Sequence, residues 1–188
     1  VDIAHIYDGM AVAHFNSGNV DNTIDSYEKS FNVYEKAGDN KGKSEALNNI
    51  GNVYEKTFDY DKAVDYYEKT IEIKSDIDDK EGLTKVMEDV GNVYYKTKDL
   101  EKSIQSYQKS AELNETLQNQ EDLGDIYNKL GVAHYELGNL GEAESYFTRS
   151  IGVLKKTGQN KEASMALNNV GNVYYNQANF EEAVKYYS

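Results

Sequence analysis

The feature that most constrains the fold is a motif that recurs with a period of forty residues. Gly-Asn-Val-Tyr stands at 51–54, 91–94 and 171–174, so the copies lie 40 and 80 residues apart. Residues 11–14 and 131–134 complete the same register with Ala-Val-Ala-His and Gly-Val-Ala-His. Repeats of this length form structural units that stack and cover one another's hydrophobic faces. We therefore expect a single repeat domain over residues 1–188, with repeats at about 2–40, 41–80, 81–120 and 121–160 and a truncated fifth at 161–188.

Each repeat carries two helical patterns. In the first, apolar residues lie four and one before the glycine position, as Leu47 and Ile50 do before Gly51, which places them on one side of a helix that we call helix A. In the second, which we call helix B, a small residue lies four positions before an aromatic residue, as Ala63 does before Tyr67. A small side chain beside a large one allows two helices to pack closely. The predicted A helices are 2–16, 42–57, 82–97, 121–137 and 162–177, and the predicted B helices are 20–37, 60–77, 100–117, 140–157 and 180–188. N-caps are predicted at Asn19, Asp59, Asp99, Asn139 and Asn179.

The series Leu47-x2-Ile50-Gly51-x2-Tyr54, followed by Ala63-x3-Tyr67, resembles the tetratricopeptide repeat. The period is longer than the usual one of about 34 residues, and the proline that normally ends helix B is missing. Its place falls at Glu35, Ser75, Glu115 and Lys155, so we expect helix B to continue for about a turn or more. This longer variety resembles the repeats of Pins-type adaptors, kinesin light chains and bacterial signalling proteins. The resemblance implies an all-α fold, a right-handed superhelical solenoid of antiparallel helix pairs whose A helices line a concave wall.

Composition narrows the choice of partner. The chain has 33 acidic and 20 basic residues, a net charge of −13, and such a surplus repels nucleic acid and anionic membrane surfaces. The mean hydropathy of −0.77 fits a chain without a membrane span. The absence of cysteine excludes disulfides and thiol catalysis and agrees with a reducing compartment, so we expect a cytoplasmic protein. A neutral or basic polypeptide is the expected partner.

The polar side of helix A is the candidate binding surface. The positions one after and three before the glycine lie opposite the buried stripe and stack four residues apart. A carboxamide both donates and accepts, so such pairs could hold the backbone of an extended peptide, as the resemblance implies for groove asparagines. An aromatic row four after the glycine could flank that peptide. The predicted peptide-binding residues are Asn48, Asn52, Asn92, Asn128, Asn168, Asn172, Tyr95, Tyr135 and Tyr175. Because lysine is absent from the row three before the glycine, we do not expect a clamp for acidic tails.

Other interpretations of the same residues stay open. The asparagines could merely solvate the surface or bond between neighbouring repeats. The solenoid could instead be a spacer or a self-association unit, since Val184 and Tyr187 in the truncated helix 180–188 have no following repeat to cover them. It could also be the sensor segment of a larger signalling protein. The chain begins with Val1 rather than Met, and we expect it to be a fragment of a longer protein.

No residue pattern indicates catalysis. His14 and His134 stand where other repeats carry tyrosine, which favours packed rings over a ligand or base role. Residues 76–82 resemble a calcium loop, but Lys80 stands where an oxygen ligand belongs, so we interpret the segment as an acidic turn between repeats. We expect no enzyme activity, no metal and no cofactor.

Overall fold

The computed structural model describes residues 2–188, which contain helices and no strands. The all-α prediction is therefore confirmed, and each helix begins and ends within two residues of its predicted bounds. The helices are α1 Asp2–Asn16, α2 Val20–Ala37, α3 Asn40–Lys56, α4 Tyr60–Asp76, α5 Lys80–Lys96, α6 Leu100–Thr116, α7 Gln120–Glu136, α8 Leu140–Lys156, α9 Asn160–Asn176 and α10 Phe180–Tyr187. Odd-numbered helices are the A helices and even-numbered ones the B helices. No helix in this part of the chain is both long and apolar enough to cross a lipid bilayer.

The B helices begin directly after the predicted capping residues. All five predicted N-caps lie at the N-cap position of a B helix, and four of them accept a hydrogen bond from a backbone N–H. Asn139 is the exception, since its side chain makes no capping bond. The B helices continue through the position of the missing proline but end one or two residues beyond it, at Ala37, Asp76, Thr116 and Lys156. This is less than the predicted full turn, because a residue with left-handed backbone follows at Gly38, Asp78, Gln118 and Gly158.

The chain divides into two compact units, which we describe separately. Unit 1 extends to Val93 and unit 2 comprises Tyr94–Ser188. In unit 1, α3 packs against both α2 and α4, and in unit 2, α7 packs against α6 and α8 while α9 packs against α8 and α10. The organisation of residues 1–188 as one domain stays a prediction.

Within both units, the glycine position of helix A lies against the aromatic ring of helix B. A methyl group added at Gly51 would lie 2.7 Å from Cε1 of Tyr67, and one at Gly131 would lie 2.5 Å from Cδ1 of Phe147. The same contact joins Gly171 to Tyr187. The predicted close approach of A and B helices is thus confirmed at these three positions.

Hydrophobic side chains are exposed near both ends of the sequence. Met10 lies one before the glycine position of the first repeat, where the sequence pattern predicts a buried residue, but it is 44% exposed, whereas its counterpart Ile50 is fully buried. The difference arises because Ile50 packs among α2 and α3 residues, while α1 follows no B helix within the described residues. Val184 and Tyr187 on α10 are 61% and 46% exposed.

Candidate functional site

In each unit, the polar sides of the A helices form a surface that we call the A face of that unit. In unit 1 it contains a cavity of about 340 Å³ where α3 and α5 meet. The α3 residues Glu45, Asn48 and Asn49 and the α5 residues Lys85 and Val86 line this cavity. The side-chain oxygen of Asn48 is buried there and has no hydrogen-bond partner among the described residues. A buried carbonyl oxygen without a donor is costly, so this position is suited to a ligand that supplies an N–H.

Asn52 and Asn172 use their side-chain oxygens within their own repeats. The Tyr67 hydroxyl lies 2.7 Å from Oδ1 of Asn52, and the Tyr187 hydroxyl donates to Oδ1 of Asn172 at 2.8 Å. Burial raises the pKa of Tyr67 strongly, and its contact with Glu55 raises it further, so this hydroxyl keeps its proton. Neither asparagine makes another side-chain hydrogen bond within residues 2–188, so the amide N–H groups stay available to a ligand.

In unit 2, polar side chains link the two neighbouring A helices. Each link joins residues 41 apart, so one side chain of α9 reaches back to the preceding A helix. Asn169 donates to Oδ1 of Asn128 at 3.0 Å, and the Asn176 amide donates to the Tyr135 hydroxyl. The Tyr95 hydroxyl likewise donates to Glu136. Glu136, Asn169 and Asn176 were not among the predicted residues, although they belong to polar pairs at an offset of one repeat plus one residue.

The remaining predicted residues differ in their exposure. Asn92 is half-buried on α5, whereas Asn168 is exposed on α9 and its side chain makes no hydrogen bond to the described residues. The Tyr175 ring is 59% exposed and meets the edge of the Phe180 ring, with the ring centres 5.4 Å apart. Tyr135 and Asn172 both line a cavity of about 230 Å³ in unit 2. The structure therefore brings some of the predicted residues together and leaves others separate.

The charges on the A face are mainly carboxylates. In unit 2, Lys98 donates to Glu136 at 2.7 Å and lies over the Tyr95 ring, and this hydrogen bond holds the pKa of Glu136 below its ordinary value. In unit 1, burial raises the pKa of Asp89 to about 6, despite Lys85 at 3.5 Å. Both lysines nearest these carboxylates are thus already engaged in ion pairs.

The segments considered for metal binding and catalysis have structural contacts. Asp79 caps α5 by accepting from the Gly82 N–H at 2.9 Å and pairs with the buried Lys74 at 2.6 Å. The His134 ring stacks on Tyr146, with the ring centres 5.3 Å apart. Burial lowers the pKa of His134, so the ring is neutral at pH 7. These contacts fit the acidic turn and the packed ring that the sequence predicts.

Comparison with protein families identifies the repeat. A family model described as tetratricopeptide repeat matches residues 2–76 and 83–156, and a second model with the same description matches residues 164–187. Together the two matches cover most of the chain. A search of curated proteins finds no match.

Several solved structures are similar in fold. BtubC (BKLC) from P. vanneervenii superposes with a TM-score of 0.86 at 17% identity, over 96% of this chain and 75% of that one. A putative kinesin light chain from Podosopora anserina, with nearly identical TPR-like repeats, gives 0.77 at 12% identity, over 97% of this chain and 90% of that one. A STAND protein from Pyrococcus horikoshii, whose tetratricopeptide repeats are described as a sensor, gives 0.83 at 19% identity, over 98% of this chain and 28% of that one. At these identities the similarity shows the fold alone.

Proposed function

Because this chain belongs to the tetratricopeptide repeat family, a family of protein–protein interaction modules, we propose that its A face binds an extended segment of a partner protein. The asparagine rows hold the backbone of that segment, and the tyrosine row lies beside it. The chain acts as a binding module rather than as an enzyme, and it works in the cytoplasm.

The observation that carries this proposal is the environment of Asn48. Its oxygen is buried without a donor, beside a cavity of about 340 Å³. A backbone N–H from an extended peptide would supply the missing bond without any requirement on the peptide's sequence. Asn52, one turn further along α3, offers amide N–H groups for a backbone carbonyl. A donor and an acceptor on one helix face match the alternating groups of a peptide backbone.

The hydrogen bonds already present divide most of the predicted residues into three groups. Asn128, Tyr95 and Tyr135 are engaged in links between neighbouring A helices, which supports the structural interpretation for these three. Asn48 and Asn168 have no such bond and are the residues on which ligand binding depends most. Replacing Asn52 or Asn172 would also disturb Tyr67 or Tyr187, so these asparagines make poorer tests.

The charge of the A face supports a neutral or basic partner. Glu45 lines the unit 1 cavity, and Lys74, which also lines it, is held by Asp79. Because the protein has a net charge of −13, it would repel an acidic peptide both at the binding surface and at long range.

The test begins with selection of short linear peptides from a random library displayed on phage, against the whole chain. The selected peptides should be neutral or basic. Calorimetry should then show binding about tenfold weaker, or weaker still, for Asn48→Ala/Asn168→Ala, since each lost hydrogen bond is worth about 1 kcal/mol. Gln105→Ala, which removes an exposed carboxamide from α6, is the matched control and should leave affinity unchanged. Equal affinity of the asparagine variant and the wild type would disprove the role of the A face.

A second candidate function, self-association or spacing, is favoured by the exposed Val184 and Tyr187. Light scattering distinguishes it from peptide binding. A mass that rises with protein concentration, and falls back in Val184→Lys, would support self-association, whereas a constant monomer mass would exclude it.

A further inference from the structure

A second cleft lies on the opposite set of helices and belongs to unit 1 alone. It has a volume of about 650 Å³ and runs between the B helices α2 and α4, with α3 beneath it. We call it the B-face cleft. It is lined by Glu28, Phe31, Asn32, Lys43, Leu47, Ile50, Tyr66, Lys69, Glu72, Ile73 and Asp76. None of these residues belongs to the predicted peptide-binding set.

The bottom and walls of the B-face cleft are apolar. Leu47 and Ile50 form the bottom and are almost completely buried. Half-buried side chains of Phe31, Tyr66 and Ile73 form the walls. A concave apolar surface of this size is characteristic of a ligand site, because side chains placed in it lose contact with water.

The charges around the B-face cleft leave an acidic rim. Lys43 lies over the Phe31 ring and 3.2 Å from Glu35, so its charge is already paired. Lys69 lies over the Tyr66 ring, with Nζ 4.7 Å from the ring centre. The carboxylates of Glu28, Glu72 and Asp76 have no ion-pair partner among residues 2–188. A ligand seated here therefore meets apolar side chains first and unpaired negative charge at the edge.

The shape of the cleft suits a helix. On α4, the lining residues Tyr66, Lys69, Ile73 and Asp76 are three or four apart, so they form one stripe. That stripe is about 15 Å long at 1.5 Å per residue, close to three helical turns. A groove between two helices accepts the side-chain ridge of a third, and apolar residues at i, i+3, i+4 and i+7 provide such a ridge.

We propose that the B-face cleft binds a short amphipathic helix of a partner protein, with apolar side chains in the cleft and Lys or Arg residues against the carboxylate rim. A second copy of this chain is a poor occupant, because two chains of charge −13 repel each other. This site is separate from the A face, and it does not depend on the function proposed for that face.

The equivalent place in unit 2 shows that a cleft of this size is not a general property of the repeat. Residues eighty further along occupy the same template positions, and there Arg149 lies over the Tyr127 ring at 4.0 Å. Arg149 donates to Glu115 at 2.8 Å and to the Tyr127 hydroxyl, which itself donates to Glu115. We call Glu115, Tyr127 and Arg149 the Arg149 plug. The cavity around this plug measures about 360 Å³.

The experiment uses one synthetic probe, an acetylated and amidated peptide of about 14 residues, long enough for a helix. It carries Leu at i, i+3, i+4 and i+7 and Lys on both flanks of that stripe, with a fluorescein label. A second peptide replaces every Lys by Glu, and a third keeps the composition but scatters the Leu residues. Fluorescence anisotropy measures binding of each peptide to the whole chain.

The decisive variant transfers the Arg149 plug into unit 1. Phe31→Ala, Leu47→Tyr and Lys69→Arg place the unit 2 residues around Glu35, which already occupies the position of Glu115. A milder variant, Glu72→Lys/Asp76→Lys, changes only exposed positions and cannot unfold the core. Asn48→Ala/Asn168→Ala serves as the control, because it alters the A face and leaves the cleft intact.

We expect the Lys peptide to bind wild type and the asparagine control equally. Binding should fall about tenfold in Glu72→Lys/Asp76→Lys and disappear in the plug variant, whose melting temperature is measured alongside. The Glu peptide and the scattered peptide should bind at least about tenfold more weakly than the Lys peptide. No binding of the Lys peptide up to about 1 mM, or equal binding by the charge-reversed variant, would overturn the proposal.

Discussion

The two units are built on one template, yet the same place in the template holds a cleft of about 650 Å³ in unit 1 and a smaller cavity of about 360 Å³ in unit 2. Lys69 and Leu47 in unit 1 correspond to Arg149 and Tyr127 in unit 2, eighty residues later. Lysine is a point charge that rests over a single ring, whereas arginine is planar and bonds to a carboxylate and a hydroxyl together. The larger cleft of unit 1 thus coincides with these differences in side chains.

The comparison teaches that the repeat motif and the surface chemistry vary independently. Gly51 and Gly131 pack against Tyr67 and Phe147 in the same way in both units. The differences lie at positions that the motif does not specify. We therefore expect substitutions at the motif positions to change stability by similar amounts in both units, and substitutions at other positions to have different effects in the two units.

The largest expected effect concerns a buried ion pair that only unit 1 has. Lys74 is 6% exposed and pairs with Asp79, whereas the corresponding residues in unit 2 are Leu154, which is 1% exposed, and Gln159. Asp79→Asn keeps the capping oxygen but leaves Lys74 buried without a counter-charge, and should cost about 3 kcal/mol in urea unfolding. The double variant Lys74→Leu/Asp79→Asn should regain most of that loss. Equal stability of the single variant and the wild type would show that the pair contributes nothing.

The second prediction concerns the glycine position, where the two units are alike. Gly51→Ala and Gly131→Ala should each cost about 1–3 kcal/mol, because the added methyl group meets a packed ring in both units. Gly152→Ala, at a helical position with open space around it, should instead stabilise by about 0.5–1 kcal/mol. Thermal unfolding of the three variants measures this contrast, and a neutral result at Gly131 would contradict the assigned packing.

The third prediction concerns the turns from α3 to α4 and from α7 to α8. Phe58 has a φ of 65° and Gly138 has a φ of 80°, although the two occupy the same template position. A side chain is strained in this left-handed region, so Phe58→Gly should stabilise unit 1 by about 0.5–1 kcal/mol, and Gly138→Ala should destabilise unit 2 by a similar amount. Phe58 is 76% exposed, so its removal costs little packing. Urea denaturation midpoints that move in the reverse directions would refute the argument.

The smallest expected effect is a pH dependence in unit 2. His134 occupies the position of Tyr54, and burial lowers its pKa below the ordinary 6.5, although Glu142 opposes this. A histidine held neutral in the native state makes its full contribution to the free energy of unfolding above about pH 6.5. That contribution is lost as pH falls through the lowered native pKa. His134→Tyr should therefore flatten the acid side of the stability curve between about pH 6.5 and 5. Tyr54→His should introduce the same slope in unit 1, and parallel curves for His134→Tyr and wild type would exclude the effect.

The sequence predicted what depends on periodicity. The bounds of the helices, the contact between Gly51 and Tyr67 and the capping by Asp59 all follow from side chains that recur at fixed positions. Each of these features is local or joins the two helices of one repeat. Their geometry is therefore fixed within one repeat length.

Most of the features that the sequence did not predict join different repeats. The link from Asn169 to Asn128 requires knowing which side chains of successive A helices meet, and the period alone does not give this. The burial of Lys74 was not predicted because a lysine is normally exposed. Its burial depends on the ion pair with Asp79, which lies in the turn that follows α4. The Arg149 plug was missed because Lys69 and Arg149 both appear as ordinary basic residues on an exposed helix side.

The most direct test of the binding function on the A face is an NMR titration of uniformly ¹⁵N-labelled protein with a peptide selected from the random library. We predict that the side-chain amide signals of Asn48 and Asn168 and the backbone signals around Asn52 shift as peptide is added, while those of Tyr66 and Lys69 in the B-face cleft stay unchanged. Shifts confined to residues of α2 and α4, with the Asn48 amide unaffected, would contradict the account.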